Sequence, residues 1–143
     1  MKIQQLSIFA ENKPGHIAGP CSLLAEHGVD IRALTLADTQ RFGILRLIVS
    51  DPAKATKLLE TAGHVVKSTD VLAIEVADHP GGLAQVLSAL DGTPVNIEYM
   101  YAFPFSRGGM AVLIFRFDDP DTAIEVLLAK GVPVLAGDTI LKG

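Results

Sequence analysis

The stretch Glu11–Ile31, ENKPGHIAGPCSLLAEHGVDI, places a polar residue two positions before Pro14-Gly15, continues as an apolar-periodic run, and closes on Gly28-Val29-Asp30-Ile31. An echo of it, ADHPGGLAQVLSALDGTPVNI, stands 66 positions on, over Ala77–Ile97. Pro14-Gly15 meets Pro80-Gly81, Ile17 meets Leu83, Ala18 meets Ala84, Leu24 meets Leu90, and Val29-Asp30-Ile31 meets Val95-Asn96-Ile97, without a gap. An internal repeat of this kind decides the architecture before any single element is assigned.

The repeat continues beyond the quoted stretch. Asp51-Pro52 returns 68 positions on as Asp119-Pro120, followed by Ala55 with Ala123, Leu59 with Leu127 and Gly63 with Gly131. The second copy has therefore gained two residues, assigned to the hairpin connection FPFSRGG (Phe103–Gly109), where the first copy has DTQRFG. In the first copy Leu6, Ile8 and Ala10 alternate as a strand, and Ile17, Cys21, Leu24 and Gly28 follow helical spacing. IRALTLAD and GILRLIVS read as two strands joined by a turn. Asp51 is a natural N-cap with Pro52 at the first helical position, Ala55, Leu58, Leu59 and Ala62 form a buried stripe, and Gly63 ends the helix. HVVKSTDV and PVLAGDTIL supply a last strand for each copy.

The order β-α-β-β-α-β predicts an α+β fold: two ferredoxin-like repeats, each an antiparallel sheet with both helices on one face, packed side by side. The expected boundaries are 1–69 and 70–143. Repeats of about 70 residues are marginal alone, and KSTDVLAIEVAD at the join has no Pro/Gly/Ser-rich spacer, so the two are expected to lean on one another.

Composition narrows the function classes. With a net charge of -4 and no Lys/Arg cluster, the chain offers nothing to neutralise a phosphate backbone, so no nucleic-acid partner is expected. No apolar run approaches the roughly 18 residues that span a bilayer, and Met1-Lys2 leads straight into a strand pattern. One cysteine, Cys21, forms no internal disulfide and matches no metal-ligand spacing. A cytoplasmic protein without metal or cofactor is the expectation. A 49% apolar content with mean hydropathy +0.37 leaves association through an apolar face open.

Both copies resemble the ACT domain, the small amino-acid-sensing module of metabolic enzymes. The resemblance rests on Asn12-Lys13-Pro14-Gly15-His16-Ile17-Ala18 and Asp78-His79-Pro80-Gly81-Gly82-Leu83-Ala84, set against the family pattern [DN]-x-P-G-x-[LI]-A, with Gly28-Val29-Asp30-Ile31 and Pro94-Val95-Asn96-Ile97 at the start of each second strand. It covers essentially the whole chain as a tandem pair, and it implies an amino-acid site at these loops. The chemistry agrees with that. Glycine lets a backbone approach a ligand, and helix-start N–H groups near His16-Ile17 and Gly82-Leu83, expected to lack internal partners, suit a carboxylate. Asn12, Asp30, Asp78 and Asn96 are the candidate acceptors for an ammonium group. In the sensing domain of phosphoglycerate dehydrogenase, asparagines at the positions matched by Asn12 and Asp30 hold the effector. Here an aspartate departs from that pattern, and Ala10 replaces the family's histidine near the loop start.

Plainer readings stand beside these. Each Pro-Gly pair could be a strand-to-helix turn, and Asp30 and Asn96 could cap a turn. Pro20 either frees the His16 carbonyl as a binding acceptor, kinks the helix, or shows that the helix starts late. Tyr99, Tyr101 and Phe103 alternate opposite Met100 and Ala102, a stripe expected to be exposed as a homodimer surface unless the partner repeat covers it. His27 and His64 read as surface histidines, Cys21 as a small core residue, and Arg41 and Arg107 as solvated turn residues.

No nucleophile, base and oxyanion constellation can be assembled, so no catalysis is expected. The resulting expectation is a non-catalytic sensor of a free amino acid that modulates a metabolic enzyme in trans. One competitor is a dedicated regulatory subunit, such as that of acetolactate synthase, against which the symmetrical tandem argues. Another is an acylphosphatase-like hydrolase, which would need an Arg in the first loop, where only Lys13 and His79 are offered.

Overall fold

The structure, a computed structural model, describes residues 1–38, 41–104 and 108–141. It forms two compact units, Gln4–Thr69 and Asp70–Leu141, the second of which also takes Met1–Ile3. Six strands and five helices are present among the described residues.

In the first unit the chain runs through β1 (Ile3–Glu11), α1 (Ala18–Glu26), β2 (Ile31–Asp38), β3 (Phe42–Val49), α2 (Pro52–Thr61) and the opening residues of β4 (Val65–Ala77). The strand order is β2-β3-β1-β4, with β3 antiparallel to both β1 and β2. Alternation directs Leu6, Ile8, Leu45, Leu47 and Val49 to one face, where they meet Leu24 of α1 and Ala55 and Leu59 of α2. The expected punctuation of α2 is realised: the Asp51 carboxylate accepts the Lys54 N–H at 3.1 Å, and Pro52 fills the first helical position. At its far end the His64 N–H reaches the Leu59 carbonyl and the Gly63 N–H reaches Glu60, each at 3.0 Å, a Schellman closure that needs the positive φ of 94° at Gly63.

The second unit repeats the plan with the rest of β4, α3 (Gly82–Ser88), β5 (Ile97–Ala102), β6 (Met110–Phe117) and α4 (Pro120–Ala129), in the strand order β4-β6-β5. Its core joins Leu72, Ile74, Val76, Phe115 and Phe117 to Val86, Leu90, Ala123 and Leu127 from the helices. Asp119 caps α4, accepting the Thr122 N–H at 3.2 Å and the Thr122 hydroxyl at 2.6 Å. These hydrogen bonds hold the Asp119 carboxyl below its ordinary value, with the hydroxyl bond the larger cause.

Two expectations are corrected, and one open reading is decided. PVLAGDTIL is not a regular strand: only Val134 bridges to Ile74, after which α5 (Gly137–Leu141) forms and buries Ile140. Gly137 and Asp138 are poor strand formers, so pairing stops where they begin. Helix α1 starts late, so that Pro20 lies in its first turn, where a missing N–H costs no intrahelical bond and the side chain is buried. The aromatic stripe is not exposed: Phe103 is only 8% accessible and Tyr99 and Tyr101 are half-buried. The apolar residues left open on the edge strands are instead Leu34 and Leu36 of β2, opposite Leu47 and Leu45, and Met100 of β5, opposite Phe115.

Candidate functional site

The two Pro-Gly loops share one set of hydrogen bonds. Asn12 N–H donates to the Arg41 carbonyl at 3.0 Å, tying the loop to the β2–β3 connection, and Asp78 N–H donates to Gly109 at 3.3 Å in the second unit. The Lys13 carbonyl accepts from His16 N–H at 3.3 Å, and the His79 carbonyl accepts from Gly82 N–H at 3.0 Å. With proline second and glycine third, at φ 84° for Gly15 and φ 90°, ψ -10° for Gly81, each is a type II turn, which only glycine fits comfortably at its third position.

That geometry corrects one expectation. The N–H groups of His16 and Gly82 are consumed within the turns; those of Ile17 and Leu83, one residue on, have no hydrogen-bond partner among the described residues. The loops are otherwise open: Asn12, Lys13, Pro14 and Gly15, like Asp78, His79, Pro80 and Gly81, are exposed, His16 and Ile17 are half-buried, and Leu83 is 37% accessible. Lys13 lies 3.6 Å from the Glu11 carboxylate, and His79 Nδ1 lies 2.9 Å from the Pro80 carbonyl.

Asp30 and Asn96 do not join these loops within their own units. Asp30 exchanges hydrogen bonds with Ser50, its N–H to Oγ and its carbonyl from the Ser50 N–H, both at 2.9 Å. Asn96 does the same with Asp118, at 2.9 and 3.1 Å. Asn12 lies opposite Arg41 and Asp30 opposite Ser50, nine residues away along the β3 chain, so the two side chains stand about 30 Å apart. The topology requires this, because β2 runs parallel to β1, and the start of one lies at the opposite end from the finish of the other. The Asp30 carboxylate pairs with Arg32 at 3.1 Å, so its side chain is held along the strand and not across a turn.

Beside the second turn opens a cavity of about 480 Å³, lined by Glu75 and Ala77 of β4, by Gly82, Gln85, Val86, Ser88 and Ala89 of the α3 segment, by Met110, and by Lys130 to Pro133 after α4. The volume falls within the roughly 300–1,000 Å³ of small-molecule sites. Gly82 is buried because α3 starts directly against β4: a Cβ there would fall onto the Ala77 carbonyl oxygen. At the matched positions the first repeat carries larger groups in three places, His16 for Gly82, Leu23 for Ala89 and Phe42 for Met110, and the rigid Pro20 for Val86. Sequence reasoning singled out Gly82 but missed Gln85, Ala89, Met110 and Lys130. Their signal was the departure from the repeat at those positions.

The remaining polar candidates lie elsewhere. His27 is exposed with Nδ1 3.0 Å from the Leu23 carbonyl, His64 is half-buried, and Arg41 is exposed; Arg107 lies outside the described residues. Partial burial pushes the Cys21 thiol up from its ordinary value, away from nucleophile character. Among the described residues no group of three or more His, Cys, Asp or Glu side chains could hold a metal ion, and no helix is long and apolar enough to cross a membrane.

A family model described as an ACT domain pair matches residues 1–142. No curated protein matches the chain. Among solved structures, protein BT0572 from Bacteroides thetaiotaomicron is 42% identical, with 100% of this chain and 98% of that one covered and a TM-score of 0.93. The regulatory subunit of aspartate kinase from Thermus thermophilus, in its ligand-free form, is 16% identical over 88% of this chain and 91% of its own, with a TM-score of 0.61. The Thermus flavus counterpart is 20% identical over 88% of each chain, with the same TM-score. These last two share the fold.

Proposed function

Since the chain belongs to the ACT domain pair family, we propose that it is a non-catalytic regulatory protein that binds a free amino acid beside the Pro-Gly turns and modulates a metabolic enzyme in trans, as a cytoplasmic homodimer. The second repeat is the stronger site. The observation that carries this is the cavity beside Pro80-Gly81, which has apolar walls at Val86, Ala89 and Met110 and polar groups at Glu75, Gln85, Ser88 and Lys130. Lys130 offers a cation for a carboxylate, and the Gln85 amide offers both a donor and an acceptor. In the first repeat, Asn12, Lys13 and His16 with the free Ile17 N–H remain a weaker site, since Pro20, Leu23 and Phe42 take the matched positions. Asp30 and Asn96 are expected to contribute through the strand starts rather than the ligand.

A thermal-shift screen of the twenty amino acids tests this reading. A ligand at about 100 times its Kd stabilises by about 2.7 kcal/mol, which for a chain near 150 residues raises Tm by about 5–10 °C. With the best ligand of that screen, Ala89→Leu, which installs the first repeat's side chain, is expected to weaken binding at least about tenfold. No shift from any of the twenty removes the sensor reading, and undiminished binding by Ala89→Leu moves the site away from the cavity.

A further inference from the structure

The repeats also differ in the charge of their second helices. Helix α2 carries Lys54 and Lys57 against a single Glu60, whereas α4 carries Asp121 and Glu125 and no base, and Lys57 and Glu125 occupy matched positions. In the first unit a groove of about 360 Å³ runs between α1 and α2, with Leu23, Leu58 and Ala62 as apolar walls and Lys54 and Lys57 beside them. Lys54 is held across it, donating from Nζ to the His27 carbonyl at 2.7 Å, where a cation also suits the C-terminal end of α1. Lys57 has no ion pair among the described residues.

In the second unit Asp121, Glu125 and Leu128 recur at i, i+4 and i+7, forming one outward stripe of α4. Leu128 is an apolar side chain 46% exposed. Asp121 is steadied by Lys2 at 3.1 Å, and Glu125 is unpaired among the described residues. The stripe offers an acidic pair and one aliphatic knob; the groove offers a basic rim and an aliphatic trough.

We propose that the α1/α2 groove of one molecule receives α4 of a second copy of this chain, with Leu128 entering beside Leu23 and Leu58 and Glu125 meeting Lys57. The inference rests on the homodimer reading above and supplies its surface. The aliphatic insertion carries the affinity, and the charges set orientation and encounter rate. Because the two surfaces differ, the contact either closes as a symmetric pair using both twice, or runs on as a chain of molecules.

Sedimentation equilibrium of the full chain over about 1–200 µM tests it, a range suited to micromolar association. Wild type is expected to self-associate, and to do so less at high salt. Lys57→Glu and Glu125→Lys are each expected to weaken association at least about tenfold, and the double exchange to restore it to within about threefold, as a direct charge pair requires. Leu128→Ser, at an exposed position, is expected to leave Tm unchanged while weakening association. Association untouched by the single reversals overturns the groove and spares the homodimer. A wild-type monomer throughout overturns both, and loss of an enzyme's co-purification by Lys57→Glu in such a monomer would give the groove to that enzyme instead.

Discussion

Replacing Gly82 by alanine tests how tightly the second helix start is set against its sheet. The added Cβ would lie 1.9 Å from the Ala77 carbonyl oxygen and 2.9 Å from its carbonyl carbon. That obstacle is backbone, in a residue paired with Met110 across the sheet, and it has no rotamer into which to retreat. Either α3 lifts from the end of β4 or the Pro80-Gly81 turn opens. Overpacking against an immovable wall falls toward the upper part of its usual range, about 2–3 kcal/mol, which for a chain near 150 residues lowers Tm by about 4–12 °C. The neighbouring Gly81→Ala has a different cause, because open space surrounds that Cβ and only the φ of 90° is unfavourable; its cost is about 1–2 kcal/mol. Differential scanning calorimetry of both variants separates the two causes. A Gly82→Ala protein melting within about 2 °C of wild type, or melting above Gly81→Ala, would refute the steric reasoning.

Leu59 of α2 is fully buried among Leu24, Leu47 and Ala55, so Leu59→Ala is expected to lose about 2–5 kcal/mol, read as a lowered urea midpoint at constant m-value. Asp119 has its carboxyl held below the ordinary 3.8 by Thr122, so its contribution is present above that value and is lost as pH falls through the lower folded value. The Tm difference between wild type and Asp119→Ala should thus be flat near neutrality and close in acid below about pH 4; a difference unchanged at about pH 2 would contradict the linkage.

What the sequence made legible was local. Asp51 and Asp119 announce helix starts because a short carboxylate three residues before a backbone N–H is itself the contact, and Gly63 and Gly131 announce the ends because the closure needs positive φ. The alternation in β1 and β3 likewise maps directly onto one buried face. The site was harder, because it depends on where groups point once the turn is made. Lys13-Pro14-Gly15-His16 signals the type II turn that takes the His16 N–H back to Lys13, but not that the Ile17 N–H is the one left open. The separation of Asn12 from Asp30, by contrast, follows from strand direction alone once β-α-β-β-α-β is accepted. Pro133-Val134-Leu135 reads as a strand because its backbone does bond to β4 on either side of the single Val134–Ile74 bridge; the break at Gly137-Asp138 was visible in composition.

Since the turn hydrogen bonds recur at matched positions, the differences between the copies around these turns are not differences of turn backbone. They lie in side chains, His16 against Gly82, Leu23 against Ala89 and Phe42 against Met110; the second helices differ by Lys57 against Glu125. Leu23 walls the groove of the first unit, and its small counterpart Ala89 lines the cavity of the second. One size change at one matched position therefore serves two ends, an apolar wall where a helix is to dock and an empty volume where a ligand is to sit. On the readings proposed above, duplication has divided the work: the second copy holds the amino acid and the first holds a neighbouring molecule. Ala89→Leu should then impair ligand binding without touching association, and Lys57→Glu should impair association without touching binding. If either substitution impairs both equally, the two functions share one surface and the division does not hold.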